Sequence, residues 1–105
     1  MKGLVWGSTS IIAKEKLTEI EARYKLLKIP IVKKRENRHS TEIIFGNGDI
    51  WKAIAAHESA RGHRVNISYV DRKIDPEFVD VIIRHCPTAL PYNSITYYGE
   101  PHTNN

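Results

Sequence analysis

The sequence predicts a single small α/β domain, built on a mixed and mostly parallel sheet with about two main helices. Strand-like and helix-like segments alternate near both ends of the chain, which is typical of α/β folds. A Gly-Asn-Gly turn joins two apolar segments in the middle, which indicates a β-hairpin. The length of 105 residues, with 41% of them hydrophobic, is enough for one core and too short for a motor of two lobes.

The first part of the chain predicts a strand, a helix and a second strand. Residues 2–7 form a short apolar segment, and the hydroxyl side chains of residues 8–10 are candidate helix N-caps. Apolar residues then recur at intervals of three and four, which predicts a helix to about Leu27. Its predicted buried stripe is Ala13, Leu17, Ile20, Tyr24 and Leu27. Pro30 ends this helix and starts an extended segment at residues 31–34.

The middle of the chain predicts a hairpin and a further strand. Residues 41–45 and 49–54 flank Gly46-Asn47-Gly48, in which Asn and Gly tolerate the positive φ that such turns require. Residues 64–71 alternate between two faces and predict a strand that ends at Asp71.

The last part predicts a helix, a strand and a tail. Asp75 is a candidate N-cap, followed by proline at the first helical position and an acid in the first turn. Residues 94–98 predict a final short strand, and residues 99–105 predict a flexible tail. The predicted order is therefore strand, helix, strand, hairpin, strand, helix and strand.

The strand that ends at Asp71 raises the question of nucleotide hydrolysis. In many ATPases such a strand carries an Asp that holds Mg²⁺ through water, and a following Glu orients the attacking water. Here the next residue is Arg72, which cannot accept a proton from water, and the phosphate-loop motif G-x-x-x-x-G-K-[ST] does not occur. We therefore predict no catalytic residue and expect that the protein is not an enzyme. The alternative role for Asp71 is a carboxylate that caps the following turn.

Two segments resemble parts of phage terminase large subunits and related RecA-like, helicase-type ATPases. The first is KGLVWGSTSIIAKEKLTEIEARY at residues 2–24, similar to the strand, small hydroxyl turn and long helix of that family. The second is EIIFGNGDIWKAIAAHESARGHRVNISYVDRKIDPEFVDVII at residues 42–83, which is similar to the stretch leading into the acidic strand. The resemblance implies a RecA-like half-fold from a phage or prophage. Since the phosphate loop and catalytic Glu are missing, it implies a non-catalytic accessory or regulatory protein.

Basic residues are the candidates for binding. The formal net charge is +4 and the sequence pI is about 9.3, which is compatible with nucleic acid or another polyanion as partner. Arg suits phosphate because its planar fork can bond two oxygens at once. The predicted nucleic-acid or anion-binding residues are Lys33, Lys34, Arg35, Arg38, Arg61, His63 and Arg64. The alternatives are an edge strand whose charges prevent aggregation, and a solvated loop.

Other functions remain open at this point. Ser8, Thr9, Arg61 and Asp71 would meet at the strand ends if the protein binds a small phosphorylated ligand or a nucleotide, since ligands gather there in open α/β sheets. A protein-interaction module, either a homodimer or an inhibitor of a host enzyme, would use the sheet edge and the tyrosines near the C-terminus. No cofactor, no metal and no membrane partner is predicted, because metal-ligand spacings and long apolar runs do not occur in the sequence. The single cysteine, Cys86, favours a cytoplasmic location.

Overall fold

A computed structural model of the protein describes residues 1–56, 65–83 and 94–100. Within these residues, six strands and two helices follow the predicted order and form a single small α/β domain. The elements are β1 (Lys2–Gly7), α1 (Ser10–Leu26), β2 (Ile31–Glu36), β3 (Ser40–Phe45), β4 (Ile50–Ala55), β5 (Ile67–Asp71), α2 (Pro76–Phe78) and β6 (Ser94–Tyr98). A π-helical turn, Val79–Ile83, continues α2. Residues 101–105 of the predicted tail lie outside the described part of the chain.

The strands form one mixed sheet in the order β2-β3-β4-β1-β5-β6. The strands β4, β1, β5 and β6 run parallel to one another, and we call these four strands the parallel half. The strands β2 and β3 pair antiparallel, and β3 also pairs antiparallel with β4. The prediction of a mixed sheet is confirmed. The antiparallel share is larger than predicted, because the hairpin partner of β4 brings β2 into the same sheet.

Each face of the sheet carries its own core. Because side chains alternate along the strands, one set of them faces α1. These side chains are buried together with three residues of the predicted helix stripe, Ala13, Leu17 and Ile20. This core contains Val5, Ala13, Leu17, Ile20, Ile43, Phe45, Trp51 and Ala53. The other face packs against α2 and the π-helical turn with Leu4, Trp6, Ile54, Val65, Val70, Ile74, Val79 and Ile83. The sheet is therefore a central layer between the two helical elements.

The C-terminal end of α1 differs from the prediction. Leu27 is 70% exposed and does not join the buried stripe. The helix stops there because Lys28 turns into the left-handed region, with φ of 60°. The N–H of Ile29 then bonds the carbonyl of Tyr24 at 3.0 Å, and the N–H of Lys28 bonds that of Lys25 at 3.0 Å. These two bonds define a Schellman motif, in which Ile29 returns to pack near Tyr24 in place of Leu27.

The hairpin between β3 and β4 forms as predicted. Gly48 has φ of 92°, and the N–H of Phe45 bonds the carbonyl of Asp49 at 2.9 Å. The side-chain oxygen of Asn47 accepts from the N–H of Asp49 at 3.0 Å, so Asn47 contributes its side chain to the turn while Gly48 supplies the positive φ.

The predicted second helix begins as expected but is short. Asp75 Oδ1 accepts from the N–H of Glu77 at 2.9 Å, with proline at the first helical position. Only Pro76–Phe78 is α-helical, and the chain then widens into the π-helical turn Val79–Ile83. The wider turn places Val79 and Ile83 in the core, where they are 3% and 0% exposed.

Candidate functional site

The first candidate site lies where the parallel strands end. The carboxyl ends of β4, β1, β5 and β6 meet at one edge of the sheet, because all four strands point the same way. Ser8 and Thr9 follow β1 at this edge, and Asp71 is the last residue of the neighbouring β5. We call Ser8, Thr9 and Asp71 the strand-end cluster. Ser8 contacts Asp71 directly and Thr9 follows Ser8, whereas Arg61, the fourth residue predicted for this place, lies outside the described residues. Their ligand-binding role stays a prediction.

Hydrogen bonds from the chain itself surround the Asp71 carboxylate. Its Oδ2 accepts from the Ser8 N–H at 2.9 Å and from Ser8 Oγ at 2.6 Å. Its Oδ1 accepts from the Lys73 N–H at 3.0 Å. The residue is only 2% exposed. Burial alone would raise the pKa of Asp71, but the hydrogen bonds from Ser8 and from the Lys73 backbone hold this pKa below its ordinary value. The carboxylate therefore joins the ends of β1 and β5 and caps the turn after β5.

Thr9 is the N-cap of α1. Its backbone is extended, with φ of −132° and ψ of 162°, and its Oγ1 accepts from the Ile12 N–H at 3.2 Å. The connection from β1 to α1 is tight, since a Cβ on Gly7 would lie 2.4 Å from the Thr9 carbonyl oxygen and 2.6 Å from the Ala13 nitrogen. Thr9 and Gly7 thus bring the helix directly onto the end of β1.

Tyr98 lies beside this cluster, and Lys16 lies over its ring. The sequence predicted Tyr98 only as one of the tyrosines of an interaction surface, and it did not single out Lys16. The Tyr98 hydroxyl donates to the Trp6 carbonyl at 2.9 Å, and burial together with the nearby Asp71 charge raises the pKa of Tyr98. The Lys16 ammonium lies 5.3 Å from the ring centroid of Tyr69 and 5.5 Å from that of Tyr98. Helix periodicity places Lys16 next to the buried stripe of α1. The sequence could not predict its contact with the two tyrosine rings, because Tyr69 and Tyr98 come from the distant strands β5 and β6.

The second candidate site is a set of cations on the face of the sheet away from α1. Cross-strand register aligns Arg35 on β2 with Glu42 on β3 and Lys52 on β4. The neighbouring row aligns Lys33 with Ile44, Ile50 and finally Lys2 on β1. We call Lys2, Lys33, Arg35 and Lys52 the cationic face. These four cations stand beside a single aligned carboxylate, Glu42.

The structure separates the predicted basic residues. Lys33 and Arg35 are exposed on the cationic face, whereas Lys34 points to the opposite face and lies 3.4 Å from Glu21 on α1. Arg38 is exposed in the turn between β2 and β3, and its carbonyl accepts from Lys14 Nζ at 3.3 Å. Lys2 and Lys52 were not predicted, because only the strand order brings them to the same face.

Three of the predicted nucleic-acid-binding residues belong to a part of the chain that the structure does not describe. Arg61, His63 and Arg64 lie outside the described residues, so their predicted role stays a prediction. Within residues 1–56, 65–83 and 94–100, no group of three His, Cys, Asp or Glu side chains is arranged to hold a metal ion. Over the same residues, none of the helices is both long enough and apolar enough to cross a bilayer.

Comparisons with known proteins gave no match among protein-family models, curated proteins or solved structures.

Proposed function

We propose that the protein is a non-catalytic accessory protein of a phage or prophage that binds nucleic acid through the cationic face. The observation that carries this proposal is the register that places Lys2, Lys33, Arg35 and Lys52 on one side of the sheet. Neighbouring strands lie roughly 5 Å apart, so Arg35 and Lys52, two strands apart, are separated by about 10 Å, and Lys33 and Lys2, three strands apart, by about 15 Å. A flat face with four cations and one carboxylate attracts a polyanion without the need for a deep pocket.

The arrangement of β1 and β5 supports descent from a RecA-like half-fold. These strands pair in parallel, so the two segments that resemble the terminase ATPase core lie side by side. The hydroxyl turn after β1 meets the Asp at the end of β5. Terminase, portal and capsid genes beside the gene of this protein would support the phage origin.

The strand-end cluster favours binding over catalysis in this proposal. The Asp71 carboxylate accepts three hydrogen bonds from its own chain and is almost fully buried. Ser8 donates both its N–H and its hydroxyl to Asp71, so neither donor points to a phosphate in this conformation. This cluster therefore holds β1, β5 and α1 together, while the exposed charges lie elsewhere.

Fluorescence anisotropy with a labelled DNA duplex of about 20 base pairs, measured between about 50 and 200 mM salt, tests the proposal. Replacement of both Lys33 and Arg35 by Ala should weaken binding about tenfold and lower the slope of log affinity against log salt by about 2. A single-stranded DNA probe of the same length is measured alongside, because contact with phosphates does not by itself distinguish single-stranded from double-stranded DNA.

The matched control removes two cations from the other side of the molecule. Arg23→Ala combined with Lys34→Ala makes the same change in net charge but leaves the cationic face intact. This control should change the affinity by less than about threefold. Equal losses in the two double variants would show that only net charge matters, and the absence of salt-sensitive binding in the unmodified protein would exclude the function.

A further inference from the structure

A groove lies between the C-terminal half of α1 and β2. Its volume is about 640 Å³, and α1 lines it with Thr18, Glu21, Ala22 and Lys25. The connection after α1 and the end of β3 complete the lining with Lys28, Ile29, Pro30, Ile31 and Phe45. Apolar side chains form most of the lining, and Lys25 and Lys28 are exposed. Glu21, the single carboxylate among the described lining residues, is engaged by Lys34 at 3.4 Å.

Exposed hydrophobic side chains are concentrated beside this groove. Leu26 is 83% exposed, Leu27 70%, Ile31 41% and Val32 68%. They make up four of the seven large hydrophobic residues that are exposed in the described part of the chain, and all four fall within residues 26–32. Such a concentration marks an interaction surface rather than the usual scatter of single apolar residues.

The strand β2 offers an open edge next to the groove. It is the terminal strand of the sheet and pairs only with β3 among the described strands. All six of its residues are exposed. An edge strand of this kind can accept another extended segment through backbone hydrogen bonds, while alternate side chains of that segment enter adjacent pockets.

Charge decides which segment fits. Residues 25–35 carry five cations, Lys25, Lys28, Lys33, Lys34 and Arg35, and no carboxylate. A second copy of the protein fits poorly, because antiparallel pairing of β2 with itself about its centre would place Lys33 opposite Lys34. Like charges directly opposite each other destabilise a strand pair. A strand that carries carboxylates would instead be attracted.

We propose that the α1–β2 groove is a docking site for an acidic, partly apolar segment of a partner protein. The segment adds to the open edge of β2 as an extra strand and places its apolar side chains against Ala22, Ile31 and Phe45. Its carboxylates meet Lys25 and Lys28. The groove opens on the α1 side of the sheet, so the protein can hold this partner and a nucleic acid on opposite faces.

Synthetic peptides test the site on the full chain. The probe is a labelled peptide of sequence Asp-Glu-Ile-Val-Leu-Ile-Glu-Asp, compared with a version in which Lys replaces every acid. Anisotropy at low salt should show binding of the acidic peptide that is at least about tenfold tighter than binding of the basic one. The double variant Lys25→Glu/Lys28→Glu should weaken acidic-peptide binding by about tenfold or more.

Matched variants distinguish a loss of docking from a loss of folding, and distinguish binding in the groove from binding on the cationic face. Lys25→Gln/Lys28→Gln is a milder version that should give an intermediate loss, with an unchanged circular dichroism spectrum. Arg23→Glu reverses a charge on α1 outside the groove and should leave peptide binding within about threefold of the unmodified protein. The variant that lacks Lys33 and Arg35 should lose less acidic-peptide affinity than Lys25→Glu/Lys28→Glu while its oligonucleotide affinity falls about tenfold, so this proposal and the nucleic-acid proposal can fail separately.

Three results would overturn the docking proposal. The first is equal affinity for the acidic and the basic peptide. The second is a dimer in analytical ultracentrifugation that Ala22→Glu abolishes, which would assign the groove to a second copy. The third is loss of oligonucleotide binding in Lys25→Glu/Lys28→Glu together with competition between oligonucleotide and peptide, which would assign the groove to nucleic acid.

Discussion

The two ends of α1 show two different uses of polar and apolar groups. At its start, Asp71 is 2% exposed and accepts three hydrogen bonds, while Thr9 caps the helix. At its end, Leu26 and Leu27 are 83% and 70% exposed, and Lys28 adopts a positive φ without being glycine. The start of the helix is therefore closed by contacts within the chain. The C-terminal end of the helix instead leaves apolar side chains exposed to solvent and lies beside the open edge of β2.

We therefore expect the start of α1 to contribute mainly to stability, and the region around its end to contribute mainly to the proposed binding. In the parallel half, the ends of β1 and β5 are held by the buried link between Ser8 and Asp71. The strand β2 contributes to both proposed binding surfaces, since Lys33 and Arg35 lie on the cationic face and Ile31 lines the α1–β2 groove. Substitutions at the start of α1 should therefore affect folding, and those around its end should mainly affect binding or leave stability unchanged.

The largest expected effect is at Asp71. Asp71→Ala removes an acceptor that three donors share and leaves the Ser8 and Lys73 groups without it inside a tightly packed edge. The free energy of unfolding should fall by about 3 kcal/mol, because hydrogen bonds to a buried charge are stronger than neutral ones. Urea denaturation measures this. Asp75→Ala, which removes an exposed N-cap carboxylate close by, serves as a control and should cost only about 1 kcal/mol.

Acid should weaken the same end of the molecule. The folded-state pKa of Asp71 lies below its ordinary value of 3.8, so the carboxylate stabilises the folded state when it is charged. That contribution is complete above the unfolded pKa and is lost as the pH falls through the lowered folded pKa. We expect the unmodified protein to lose more stability than Asp71→Asn between neutral pH and about pH 3, when both are unfolded in urea. Parallel curves for the two proteins would contradict the proposed role of the carboxylate.

A smaller effect of opposite sign is expected at the other end of the helix. Lys28→Gly should stabilise the protein by about 1 kcal/mol, because a side chain in the left-handed region is strained and glycine is not. Lys28→Ala keeps the Cβ and should give no such gain. Urea denaturation of both variants compares them directly. If glycine destabilises the chain, the positive φ at this position is not a source of strain.

Local signals in the sequence were sufficient for much of the fold. The bounds of β1 and β6 were predicted to the residue, and the hairpin follows from Gly46-Asn47-Gly48 because positive φ is a local requirement. The helix start at Asp75 is equally local. Leu27 was placed in the buried stripe because no glycine marks the helix end, and only the contact between Ile29 and Tyr24 shows where the chain turns back.

The candidate sites depended more on long-range pairing. Alternation along an extended segment implies that Lys34 and Lys33 point to opposite faces, but not which face is open. That Lys52 and Lys2 join Lys33 follows from the strand order, which the sequence does not specify. The link between Ser8 and Asp71 spans 63 residues and was expected only from the general tendency of strand ends to meet.

The smallest expected change in the free energy of unfolding is at Thr41. Comparison of this residue with Thr9 tests whether the interior under β2 and β3 is less completely hydrogen-bonded than the start of α1. Thr41 lies on β3 under α1, is 3% exposed, and its Oγ1 has no hydrogen-bond partner among the described residues. Thr41→Val keeps the shape and removes a buried hydroxyl, so the free energy of unfolding should rise by about 0.5 kcal/mol. Thr9→Ala removes a hydroxyl that caps α1 and should lower it by about 1 kcal/mol. If Thr41→Val instead destabilises the protein as much as Thr9→Ala does, the hydroxyl of Thr41 is satisfied in solution, and the interior beneath β2 and β3 is as completely hydrogen-bonded as the strand-end cluster.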